Sequence, residues 1–172
     1  MLDTILAENA LPNLHPAVIH FPLALLTTAL LLDLACVVTR AWTWMDRAAT
    51  ALWVLGTLGL GGAYLTGDAA SQQMVNVAGH AQAVLADHEA LAELSLFAFG
   101  GVTVLRLLVS WLSRRDDRIH IGLFRLVALA AALAAQLLLV AIADRGGALV
   151  YRHGMGVEAA GWTAPGPEPD TR

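Results

Sequence analysis

"IGLFRLVALAAALAAQLLLVAIA", residues 121–143, runs for 23 residues with Arg125 and Gln136 as its only strongly polar side chains. A hydrocarbon core about 30 Å thick takes roughly 20 helical residues to cross. The run shows no period-two alternation, and lipid demands a backbone satisfied within the segment, so it reads as a transmembrane helix. Three further segments meet the same test: residues 16–38, 48–65 and 90–112, the second rich in glycine (Gly56, Gly59, Gly61, Gly62). Four spans with short connections predict an all-α integral membrane four-helix bundle.

Composition agrees. The 172 residues are 58% hydrophobic and 14% charged, with a mean hydropathy of +0.64. A soluble domain carries about a quarter charged residues, so a soluble enzyme or a nucleic-acid-binding protein is not expected. All ten basic residues are arginine. Cys36, the one cysteine, can form no internal disulfide and no cysteine-based metal motif. The first residues, "MLDTILAENALPN", lack a basic region and a small-residue cleavage site before the first apolar run, so no cleaved leader is expected.

Arginine placement orients the bundle. Arg40, Arg47, Arg114, Arg115 and Arg118, with Arg106 and Arg125 nearby, fall on the side of the 39–47 and 113–120 connections. Only Arg145, Arg152 and Arg172 fall on the other side. The positive-inside rule makes the arginine-rich side cytoplasmic, with both termini on the periplasmic side of a bacterial inner membrane. Trp42, Trp44 and Trp111 lie at the cytoplasmic interface as an aromatic belt. The connection 67–89 has apolar Met74, Val77, Ala81, Val84 and Leu85 at helical spacing, which predicts an amphipathic connecting helix on the outer face. Residues 1–157 then form one domain, and the Pro/Gly-rich 158–172 a flexible tail.

This topology sorts the histidines. His15, His20, His80, His88 and His153 fall on the outer side and only His120 on the inner side. Four of the five outer ones sit at or beside helix ends, where separate helices can bring imidazoles together as metal or haem-iron ligands. No H-E-x-x-H or C-x-x-C-H motif is present, which sets aside zincin and c-type haem sites. In "NLHPAVIHFPLALL", residues 13–26, His15 and His20 should stand about 140° apart on a regular helix. Pro22 removes the hydrogen bond to Val18, so a kinked entry could present His20 to the interior; the alternative is two histidines that only satisfy local carbonyls. Asp33, within the first span, is a functional candidate by its position, and pairing with Arg106 or Arg125 is the favoured structural reading. Gln136 reads as a hydrogen-bonding link between helices, and the glycines of the second span as close-packing positions.

"LHPAVIHFPLALL" (residues 14–26) and "GGALVYRHGMGV" (residues 146–157) resemble the paired signatures of a bacterial four-helix membrane family, domain-of-unknown-function family 2231. Its members carry H-P-x-x-V-H-F-P-I and G-G-x-L-V-Y-x-H-G-x-G-V; Ile19, Leu23 and Met155 are mild departures. The resemblance marks His15, His20 and His153, and less closely His88, as motif histidines. It implies periplasmic-side redox chemistry, because similar domains are joined to cytochrome c-like or Rieske-type modules. The function expected is a small membrane redox module binding haem b through two of His20, His88 and His153, with His15 beside them. Its expected partners are a quinone, a periplasmic electron carrier or a larger membrane complex. The competing readings are a non-catalytic accessory subunit of such a complex and a divalent-metal binder using His20, His88 and His153. No nucleophile–base pair is visible in the outer layer, so hydrolytic chemistry ranks last.

Overall fold

The apolar run at 121–143 lies inside a helix that continues past both of its ends. The computed structural model describes residues 14–39, 43–72, 79–113 and 118–155, with the side chains at 43 and 118–121 excepted. Four helices fill these segments: α1 (His15–Thr39), α2 (Thr43–Gln72), α3 (Gly79–Leu112) and α4 (Arg118–Tyr151). At 25, 30, 34 and 34 residues each exceeds the roughly 20 needed to cross hydrocarbon, so the helices project beyond it. All four are long and apolar enough to span a membrane. Their most apolar windows are only 22–33% buried inside the bundle, so most of the apolar surface faces outward. Leu58, Phe97 and Leu137 are 69–71% exposed, a state that suits lipid and not water.

The helices run alternately up and down, with α1 beside α2, α2 beside α3, α3 beside α4 and α4 closing on α1. Helices α1 and α3 are therefore diagonal, as are α2 and α4. One end of the bundle holds the start of α1 and the finish of α4, and is called the histidine end below. The other is the arginine end.

Close approach of α1 and α2 rests on two glycines. A Cβ on Gly56 would stand 2.7 Å from Leu26, and one on Gly59 would touch Pro22 at 3.4 Å. Pro22 and Leu26 are fully buried on that face. Pro22 sits within an unbroken α1, its lost hydrogen bond tolerated where a neighbouring helix packs tightly. The core continues through Ala29 and Leu30, Trp53 and Leu60, Phe99 and Val102, and Ala132, Ala135 and Leu139. The Trp53 and Phe99 rings meet at 6.1 Å between centroids. Polar pins cross this core: Gln136 donates to Thr27 Oγ1 at 2.8 Å, linking α4 to α1, and Thr57 and Thr103 share a 2.7 Å hydrogen bond between α2 and α3.

The connecting helix expected within 67–89 is not a separate element among the described residues. Helix α2 runs on to Gln72, and Ala81, Val84 and Leu85 belong to the first turns of α3. The polar residues there extend the transmembrane helices beyond the apolar zone. Met74 and Val77 lie outside the described residues.

Candidate functional site

Polar side chains gather in two layers. His15 and Asp33 are eighteen residues apart on α1, and His88 and Arg106 eighteen apart on α3. At 1.5 Å per residue each pair spans about 27 Å, close to the thickness of the hydrocarbon.

At the histidine end, His15 leans on α2. Its Nδ1 donates to the Ala63 carbonyl at 2.8 Å and lies 3.3 Å from Thr66 Oγ1. The carbonyl bond selects the tautomer: in the neutral ring Nδ1 carries the proton and Nε2 the lone pair. The ring lies so close to Gly67 that a Cβ there would stand 3.0 Å from Cε1. His88 repeats the pattern on the diagonal helix. Its ring packs on Gly146 of α4, where a Cβ would stand 3.3 Å from Cε1. Its Nδ1 is buried and approaches the Ile142 backbone without forming a hydrogen bond of normal geometry. The two imidazoles are near enough to interact electrostatically. His15 and His88 thus stand on diagonal helices at the same end of the bundle, within electrostatic reach of each other, each ring seated on a glycine of the next helix.

The other sequence-marked histidines are placed elsewhere. His20 is exposed, and its Nδ1 bonds to the carbonyl of Pro16 in its own helix. The kinked entry expected to present it to the interior is not formed, because α1 stays helical through Pro22 and keeps His20 away from the face that carries His15. His153 pairs with His80, which the motifs did not mark; their ring centroids are 5.7 Å apart. His120 lies in the first turn of α4. Among the described residues no three His, Cys, Asp or Glu side chains form a metal-binding group.

At the arginine end, Asp33 pairs with Arg106 as the sequence favoured. Arg106, 4% exposed, gives Nε and Nη2 to Asp33 at 2.8–3.1 Å and Nη2 to Asp46 at 2.9 Å. Trp53 Nε1 donates to Asp33 at 2.7 Å, and Arg125 reaches Asp46 at 3.5 Å. All four helices contribute to this cluster. It encloses a cavity of about 30 Å³ that Cys36 also lines, and Arg106 Nη1 has no hydrogen-bond partner among the described residues. Sequence reading missed Asp46, whose one signal was its place in the first turn of a helix, where an acid suits the dipole. It also missed Gly67 and Gly146 as seats for the imidazoles; no local pattern distinguishes them from other glycines.

Four apolar helices, each long enough to cross a bilayer and pinned to one another by inward-facing polar side chains, define a small multi-pass membrane protein. The model of a family described as predicted membrane protein, DUF2231, matches residues 11–159, and the chain belongs to that family. No curated protein and no solved structure matches it.

Proposed function

We propose that this protein is a membrane redox module whose histidine end would hold haem b through His15 and His88. The observation that carries the reading is the placement of these two imidazoles, from diagonal helices, at one end of the bundle within electrostatic reach of each other, each against a glycine. One further feature suits the group: His88 Nδ1 is a buried polar atom still short of a partner.

Haem, when bound, supplies reversible one-electron transfer. The chain's own contribution is orientation and burial. Ala63 holds the His15 tautomer, as backbone carbonyls do for metal-bound imidazoles. Gly67 and Gly146 let both rings settle against neighbouring helices, and the apolar core from Leu26 to Phe99 closes the inner side. Arginine placement supports turning this end toward the periplasm of a bacterial inner membrane. A site at that depth suits a quinone in the bilayer or a carrier at its surface as electron partner.

The test is a reduced-minus-oxidised absorbance spectrum of the protein purified in mild detergent, with iron analysis. The expected result is a Soret and an α-band, lost in His15→Ala and His88→Ala and kept in His20→Ala and His153→Ala. A wild-type protein with neither bands nor iron after growth with ample haem overturns the reading.

A further inference from the structure

His80 and His153 form a second imidazole pair, separate from the proposed haem site. His80 is eight residues from His88 along α3, about 12 Å farther toward the histidine end. Its ring meets that of His153 at 5.7 Å between centroids, with 60° between planes. Two imidazoles bound to one ion at metal–nitrogen distances of about 2.0–2.1 Å and angles of about 90–110° hold their centroids roughly 4.5–5.3 Å apart. At 5.7 Å the pair stands a little wider than that spacing.

Both backbones are held by regular structure. His80 is the second residue of α3. His153 is the C-cap of α4, fixed by an αL cap: Gly154, at φ 64°, donates its N–H to the Val150 carbonyl at 3.0 Å, and Met155 N donates to the Leu149 carbonyl at 2.9 Å. His80 is exposed and His153 half-buried, so neither ring is sequestered from ions in solution.

We propose that His80 and His153 form a cis bis-imidazole site for a borderline divalent metal, Zn²⁺ or Cu²⁺, at the mouth of the bundle. With two protein ligands the remaining positions are open to water, so the ion exchanges readily with solution. Binding ties the first turn of α3 to the end of α4. Any ion bound to the folded form alone raises stability by mass action.

The experiment is a Zn²⁺ titration by calorimetry on the full chain, free of any affinity tag, in detergent. His80→Ala and His153→Ala are each expected to weaken binding at least about tenfold, the loss that even an outer-shell change can cause. His20→Ala is expected to leave it unchanged, and the haem bands are expected to persist in His80→Ala, which separates this site from the haem site. Cu²⁺ paramagnetic resonance on the wild type needs no variant and is expected to show coupling to two imidazole nitrogens. Equal Zn²⁺ binding in wild type, His80→Ala and His153→Ala, or a copper signal without imidazole nitrogen coupling, overturns the proposal.

Discussion

At Gly56 a Cβ would stand 2.7 Å from both Cγ and Cδ2 of Leu26, a side chain with no exposed surface and no room to retreat. At Gly62, six residues along the same helix, it would meet nothing within 4 Å. The two glycines are alike in sequence and opposite in duty. Gly56→Ala must push α1 from α2 or force Leu26 out of its rotamer, at a cost of about 1–3 kcal/mol. Gly62→Ala adds a methyl group to open space and removes backbone freedom from the unfolded chain, so it is expected to be neutral or to stabilise by up to about 1 kcal/mol. Thermal unfolding in detergent compares them directly. Equal destabilisation by both substitutions would contradict the packing described. Gly67 and Gly146 resemble Gly56 in having a neighbour already in place, but there the neighbour is an imidazole.

Helix α4 shows how an element can end without losing its geometry. Its last carbonyls are taken by backbone N–H groups of residues 152–155, and the left-handed φ of Gly154 turns the chain. In Gly154→Ala the same φ costs about 1 kcal/mol or more, because an L side chain crowds the carbonyl. Hydrogen exchange at residues 152–155 is expected to quicken, with little change at the α1–α2 interface. Unchanged protection at 152–155 would refute the capping role. Helix number and type were legible in the sequence, since four long apolar runs leave a lipid-spanning chain little choice. The ends were less so: hydropathy marks where lipid stops, not where hydrogen bonding stops, so α2 and α3 were read too short and a separate connecting helix was placed between them. The histidine end was half legible. Topology put five histidines on one side, but which ring meets which depends on helix phase and on glycines across an interface. His80 and His153, whose rings meet, are more than seventy residues apart in the chain.

Across the whole molecule, the two polar layers stand about one hydrocarbon thickness apart, which puts the arginine cluster near an edge of the lipid core. That position lowers the desolvation cost but does not abolish it, as Arg106 remains 4% exposed. The cluster draws Asp33 from α1, Asp46 from α2, Arg106 from α3 and Arg125 from α4, so its integrity reports on all four helices at once. Among the described residues, Arg106→Leu removes the one cation that touches both acids and leaves Asp33 the Trp53 indole and Asp46 the longer Arg125 contact; breaking a buried pair in this way costs about 3–5 kcal/mol. In Asp33→Leu with Arg106→Leu, the exposed-edge pair Asp46–Arg125 remains and no carboxylate is left facing an apolar neighbour alone. Replacing both members of a buried pair by apolar groups is often nearly neutral. The double variant is therefore expected to be more stable than Arg106→Leu alone, the reverse of additivity. A double-mutant cycle from unfolding in detergent measures the coupling, and additive losses would mean that Arg106 and Asp33 are not energetically joined.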